Sequence, residues 1–326
     1  MTDAFKPLLD NAENILITTH KSPDGDAIGS AVAFSWFLTA YGKKNHILLP
    51  DSPAGNLMSF LNGMPYSYFE DFNIPNAEFD LMICLDYNHP YRVGVAMEPI
   101  VSNMAVSKIM IDHHPNPTEF CDLTISRPEV CSTAQLVFEV LNECRIDSYL
   151  NKEACEALYL GIMTDTGSFR FPSVTAKTHE VLKELLQRGV EPHIIHEKVF
   201  DQNTKERIQL RSYAISNKFI HIEGTPIAYI SLSQEELNRY DYQKGDTEGL
   251  VNIPLSVKGI SISVFMKENE DGKVKMSFRS KGKYFVNEFA QKYFDGGGHK
   301  YAAGGISHDT LDETIKKLIL YSKDLV

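Results

Sequence analysis

Four short apolar runs, at 14–20 (NILITTH), 45–50, 80–86 (DLMICLD) and 107–113 (SKIMIDH), constrain the fold of this chain most. Such near-continuous runs suit strands buried on both faces, the condition inside a parallel sheet. Helical patterns accompany them, at 27–41 closed by Gly42, at 132–142 with Ser132 or Thr133 as cap, at 152–163, and at 175–188 stopped by Gly189. The alternation predicts an α/β domain with a largely parallel sheet flanked by helices.

The chain has 326 residues, more than one domain usually holds. Its character changes after a polar helical stretch at 191–217, which reads as a linker helix. Strand-like runs at 219–222 and 227–232 then flank a Gly-Thr-Pro turn, and runs at 260–267 and 273–280 flank Glu270-Asp271-Gly272, a hairpin signal. With helices at 286–294 and 311–323, these predict a smaller α+β domain around an antiparallel sheet. The expected organisation is a first domain at 1–190, a linker at 191–217 and a second domain at 218–326.

Charge limits the function. The formal net charge is −11, and residues from Lys218 onward carry 15 basic and 15 acidic side chains, so the whole excess of acid lies before them. A long nucleic-acid track needs Lys and Arg to neutralise phosphates, and the chain offers none. An acidic half beside a neutral half fits a carboxylate-rich metal site and a separate anion-binding surface, and equally fits acidic solvated helices. No apolar stretch reaches the roughly 20 residues of a membrane helix. The opening Thr2-Asp3 and the amphipathic segment after it do not read as a secretory signal. Five cysteines without a CxxC spacing argue against disulfides and a thiolate zinc site, and point to a reducing cytoplasm.

Four polar clusters sit where predicted elements end: His20 with Ser22-Pro23-Asp24-Gly25-Asp26, then Asp86, Asp112-His113-His114, and Asp165. Ligands in open α/β sheets gather outside the carboxyl ends of the strands, so the clusters can converge. Singly each is ordinary. Ser-Pro-Asp-Gly-Asp is a common turn, and no EF-hand, since Ile28 and Ser35 occupy ligand positions of that loop. Jointly they supply imidazole and carboxylate without thiolate, a set suited to Mn²⁺ or Mg²⁺, in a number sufficient for two cations.

In the second half, a period-2 reading places Lys273, Lys275, Ser277, Arg279, Lys281 and Lys283 on one strand face and Val274, Met276 and Phe278 on the other. The glycines of Asp295-Gly296-Gly297-Gly298-His299 let backbone N–H groups approach an anion. His193, His196 and Glu197 have metal-like helical spacing but no strand-end carboxylates beside them, and read as solvated or hinge residues. His89 and Arg92 read equally as substrate contacts or as loop residues. Cys84 reads as a small buried residue on the strand face of Asp86.

The segment from His20 to Ser30 resembles the first motif of the DHH phosphoesterases. Asp86 resembles the second, Asp112-His113-His114 the third, and Gly161-Ile162-Met163-Thr164-Asp165-Thr166-Gly167 the fourth. The resemblance implies His20, Asp24 and Asp86 on one metal, and Asp26, Asp86, His113 and Asp165 on another, with Asp86 bridging. It implies that Asp112 orients a histidine and that His114 faces the phosphate or leaving group. Gly297-Gly298-His299 resembles the signature of the DHH-associated C-terminal domain, which implies that this loop, Arg279 and the adjacent Ser280 hold a terminal phosphate or nucleotide. Length and layout look most like the oligoribonuclease/pAp-phosphatase subfamily. The implied function is hydrolysis of short RNA (nanoRNA), 3′-phosphoadenosine 5′-phosphate (pAp) or linear dinucleotides with two divalent ions, Mn²⁺ first and Mg²⁺ second. An inorganic pyrophosphatase and a non-catalytic nucleotide-binding protein are the rivals. The glycine loop argues against the first and the complete ligand set against the second. Substrate, polarity, metal and oligomeric state, a homodimer included, stay open at this level.

Overall fold

The computed structural model describes residues 4–72 and 79–326, so Thr2 and Asp3 lie outside the described residues. The chain forms two compact units, Met1–Gln202 and Asn203–Val326.

The first unit runs α1 (Phe5–Asn11), β1 (Asn14–Thr18), α2 (Gly25–Ala40), β2 (Lys44–Leu49), β3 (Tyr66–Tyr68), β4 (Leu81–Leu85), α3 (Glu98–Asn103), β5 (Ser107–Asp112), β6 (Leu123–Ser126), α4 (Thr133–Glu143), α5 (Lys152–Asp165), α6 (Ala176–Gln187) and α7 (Pro192–Phe200). The six strands among its described residues lie in the order β3-β2-β1-β4-β5-β6. Every neighbouring pair is parallel. The apolar runs alternate between two cores. Ile15, Ile17, Ile83, Leu85, Ile109 and Ile111 face the core shared with α2, α4 and α5. Leu16, Met82, Cys84 and Met110 face a second core with Val93 and Val101. Burial on both faces is why these strands read as continuous apolar runs. Strand order reverses between β1 and β4, which opens a crevice at their carboxyl ends.

Helices α2 and α5 cross at glycines. A Cβ on Gly29 would stand 2.5 Å from the Ala157 carbonyl oxygen, and one on Gly161 would stand 2.5 Å from Ala134 Cβ and 2.8 Å from Asp26 Oδ1. The first turn of α2 and the last turns of α5, which carry Asp26 and Asp165, are fixed by this approach.

The stretch expected as one linker helix holds two, α7 in the first unit and α8 (Lys205–Asn217) in the second. The second unit continues with β7 (Phe219–His221), β8 (Ile227–Leu232), α9 (Gln234–Arg239), β9 (Ile262–Glu268), β10 (Val274–Ser280), α10 (Asn287–Tyr293), β11 (Gly297–His299), β12 (Ala302–Ser307) and α11 (Leu311–Tyr321). The sheet order is β11-β12-β10-β9-β8-β7. The sheet is mixed, not purely antiparallel as expected, because β8 and β9 pair in parallel. Residues 233–261 between them give the dozen or so residues that a parallel crossover needs. Val274, Met276 and Phe278 seat on the core with Phe289, Phe294 and Leu318 of the helical layer. The other face is covered over β8 and β9 by Leu210, Ala214, Leu237 and Leu250.

Candidate metal centre

Each expected ligand of the first unit lies at the carboxyl edge of its sheet or on a helix end beside it. His20 follows β1 by two residues, Asp86 follows β4, Asp112 ends β5, and His113 comes next. Asp24 caps α2, where its Oδ1 accepts the amides of Asp26 (3.0 Å) and Ala27 (3.1 Å). Asp165 is the last residue of α5. Asp86 has φ +65, a left-handed conformation that Asp tolerates better than most residues. That turn removes it from the alternation of β4: Cys84 packs into the core beside Met82 and Tyr87, whereas the Asp86 carboxylate meets Thr133 of α4.

The carboxylates and imidazoles form two adjoining groups. His20 Nε2 lies 3.7 Å from Asp24 Oδ1 and 3.4 Å from Asp86 Oδ2. His113 Nε2 lies 3.8 Å from Asp26 Oδ2, 3.7 Å from Asp86 Oδ1 and 3.6 Å from Asp165 Oδ2. Asp86 thus turns one oxygen to each histidine. These separations exceed a good hydrogen bond. Two atoms bound at about 2.1 Å to one cation, at the usual bond angles, stand roughly 3.0–3.6 Å apart. The separations of 3.4 and 3.6 Å fall in that range and the other three, at 3.7–3.8 Å, lie just beyond it, which leaves room for an ion between the groups.

The histidines are poised for it as well. His20 Nδ1 donates to the Lys21 carbonyl (2.9 Å) and His113 Nδ1 to the Val130 carbonyl (3.2 Å). Each Nε2 lone pair therefore faces the carboxylates, the arrangement of a metal-bound imidazole. Asp112 Oδ1 accepts Nδ1–H of His114 (2.7 Å), and its Oδ2 accepts the His114 amide (3.0 Å). The histidine that Asp112 orients is His114.

Thr133 and Ala134 hold two of the candidate ligands, and sequence reasoning missed them. Their amides, at the start of α4, donate to Asp26 Oδ2 (2.7 Å) and Oδ1 (2.9 Å), and the Thr133 hydroxyl donates to Asp86 Oδ1 (2.8 Å). A helix N-terminus stabilises negative charge there. The available signal is Ser132-Thr133 at a helix start shortly after strand β6, a pattern that reads locally as a cap.

Electrostatics favour a cation. Burial, together with Asp86, Asp165 and Asp24, pushes the Asp26 carboxyl well above the usual range. Burial, with Asp24 and Asp86 adding to it, pushes Asp165 up to about 6. Against burial, His20, His114 and His113 hold the Asp86 carboxyl below that range, and Asp24 and Asp86 raise the His20 imidazole well above its usual value. Asp26 and Asp165, raised in this way by their carboxylate neighbours, would be relieved by a divalent ion in place of protons.

In the second unit, β10 pairs Arg279 with Ala302, and β11 pairs His299 with the same Ala302. Directly paired residues share a sheet face, so Arg279 and His299 flank a floor of Ala302, Gly304 and Gly297. A Cβ on Gly297 would meet nothing within 4 Å, which leaves that floor open. Gly298 has φ +136, and its Cβ would lie 2.7 Å from the Ala302 carbonyl oxygen, so only glycine fits there. Ser280 is not on the Arg279 face. It is buried, and its hydroxyl donates to the Tyr284 carbonyl (2.7 Å). The strand ends there, so Lys281 and Lys283 do not extend the basic row.

Among the described residues no helix is long and apolar enough to cross a membrane. Comparison with known proteins identifies the family. The model of the DHH family N-terminal domain matches residues 14–162, and that of the DHHA1 domain matches residues 224–324. The bifunctional oligoribonuclease and PAP phosphatase NrnA of Bacillus subtilis is 29% identical over 96% of this chain and 96% of its own length. Its namesake from Thermus thermophilus is 31% identical over 89% of this chain and 83% of its own length. A crystal structure of an exopolyphosphatase-related protein from Bacteroides fragilis superposes with a TM-score of 0.92 at 36% identity, covering 99% of this chain and 97% of that one. On these grounds the chain belongs to the DHH family of metal-dependent phosphoesterases.

Proposed function

We propose that this phosphoesterase hydrolyses short oligoribonucleotides to mononucleotides and acts on pAp or linear dinucleotides, in the cytoplasm, with two divalent cations. The observation that carries the two-cation reading is the division of Asp86, with Oδ2 toward His20 and Oδ1 toward His113. In this reading His20, Asp24 and Asp86 hold one cation, and Asp26, Asp86, His113 and Asp165 the other. The absence of thiolate favours Mn²⁺ over zinc. Bound there, the pair supplies Lewis-acid polarisation of the phosphoryl group and acidification of the attacking water.

The chain's own residues do the rest. Thr133 and the amides of α4 hold Asp86 and Asp26 in place, and Asp112 fixes His114 so that its Nε2 faces the reacting phosphate or the departing oxygen. Arg279 and His299, on one face of the second unit's sheet, hold the terminal phosphate over the small-residue floor, while Gly298 and Ser280 shape the strand and the turn. The names of the Bacillus and Thermus relatives support the substrate class. A grip on a terminal group favours short substrates over polymers. The test is turnover with Mn²⁺ of pAp, the dinucleotide pApA, RNA from dimers to about 20 nucleotides, and pyrophosphate. Fastest turnover of pAp and the shortest RNAs is expected; preference for the longest RNA or for pyrophosphate would overturn the assignment.

A further inference from the structure

Arg92 is a cationic side chain beside the centre, within reach of His114. Its place is rigidly set. Pro90–Val93 form a 3-10 turn that begins at His89, whose Nδ1 accepts the Tyr91 amide (3.1 Å), and the turn ends at Gly94 with φ +89. Val93 is buried in the core beneath the sheet. The Arg92 carbonyl accepts the amide of Lys21 (2.7 Å), the residue after His20, and this ties the turn to the crevice.

Two observations concern its head group. Nη2 lies 3.5 Å from Nε2 of His114, the nitrogen that Asp112 leaves facing outward. Nε is buried and, among the described residues, has no hydrogen-bond partner. A guanidinium is always charged, and a buried donor without an acceptor is costly, so this donor awaits one. Its immediate neighbour is the His114 imidazole, which Asp112 holds through Nδ1. A permanent cation with an unmet buried donor is best matched by an anionic acceptor.

We propose that Arg92 binds two non-bridging oxygens of the scissile phosphoryl group, with Nε and Nη2 donating as a fork while His114 faces the same group. The planar fork matches two oxygens of a tetrahedral phosphate, which a lysine cannot do. In hydrolysis one P–O bond forms to the water oxygen and the P–O bond to the leaving group breaks. Arg92 neither gains nor loses a proton; its donors stabilise the charge that builds on the equatorial oxygens. The proposal rests on phosphoester hydrolysis alone and is independent of which nucleotide is the substrate.

Its test uses the full chain loaded with Mn²⁺, and the variants Arg92→Ala and Arg92→Lys. Three quantities are read on each: kcat on a nucleotide and on a simple activated phosphodiester, the inhibition constant of inorganic phosphate, and ions bound per chain. Expected are a fall in kcat of roughly 100- to 1,000-fold on both substrates for the alanine variant, phosphate inhibition weakened at least about 10-fold, and unchanged ion content. Arg92→Lys, which keeps charge and bulk and so guards against misfolding, recovers only a minor part. Activity and phosphate inhibition within about threefold of the parent overturn the proposal, as does full recovery by lysine. So does loss of bound ions in both variants, since Arg92 would then support the centre and not the substrate. If no nucleotide is turned over but the simple diester is, and Arg92→Ala abolishes that, the substrate assignment fails while this one stands.

Discussion

Gly161→Ala tests whether the helix crossing sets the ligands. The added methyl would start 2.5 Å from Ala134 Cβ and 2.8 Å from Asp26 Oδ1, well inside contact distance. Relief requires α4 to retreat by roughly 1 Å and the Asp26 carboxylate by about half that. Overpacking of this kind costs about 1–3 kcal/mol, offset by nearly 1 kcal/mol of helix propensity gained on replacing glycine. A net loss of up to about 2 kcal/mol lowers Tm by up to roughly 8 °C for a unit of this size. The larger effect is on catalysis, because a ligand displaced by a fraction of an ångström loses up to about 100-fold in rate. Thermal melting and kcat/KM on one parent and one variant preparation decide it. Gly55→Ala, where a Cβ meets nothing within 4 Å, is the control and should change neither. If Gly161→Ala keeps both Tm and activity, the close approach is not what positions Asp26.

Further predictions concern the grip, the units and the metal. Arg279→Ala and His299→Ala should each lower kcat/KM on pAp and dinucleotides by roughly 10–200-fold, the equivalent of about 1.5–3 kcal/mol for a charge-assisted contact. A simple activated phosphodiester should be nearly unaffected, and equal losses on every substrate would assign these residues to stability. A chain cut after Gln202 should leave a first unit that melts cooperatively and binds Mn²⁺ but handles dinucleotides poorly; unchanged efficiency would give the second unit another purpose. Removing metal with chelator should lower the unfolding free energy by about 2.7 kcal/mol relative to protein at an ion concentration 100 times Kd, read as a Tm shift that excess Mn²⁺ reverses. An unmoved Tm would mean that the carboxylate cluster is stable without an ion.

Much of this was legible in the chain because strand ends advertise themselves. An apolar run that stops at His20, Asp86 or Asp112-His113 can only place that group at the carboxyl edge of a parallel sheet, and β1, β4 and β5 do so. Less legible were elements with weak intrinsic signals. Strand β12 (AAGGIS) is held by pairing with β10 and β11, not by propensity, so its glycines read as loop. Strand β3 has three residues and α9 six, too few to show a period. The parallel pairing of β8 with β9 depends on how a long connection travels, which local pattern does not encode. Within the site the ligand types were readable, but their supports were not. Thr133 and Ala134 act through backbone amides 107 and 108 positions from Asp26, and Gly161 acts through the side chain it lacks. Ser280 is instructive in the opposite sense: adjacency to Arg279 suggested a shared role, but alternation along β10 sends it to the other face.

The central claim is that Asp86 joins two ion sites, and counting ions tests it most directly. Purified chain dialysed against excess Mn²⁺ and then analysed for metal should carry two ions. Asp24→Ala and Asp26→Ala should each carry about one, because each removes a ligand from a different group. Asp86→Asn, which keeps the shape but turns one oxygen into an amide nitrogen, should lose most activity while still folding. One ion per parent chain, two ions retained by both alanine variants, or Asp86→Asn activity within a few-fold of the parent at saturating Mn²⁺ would contradict it.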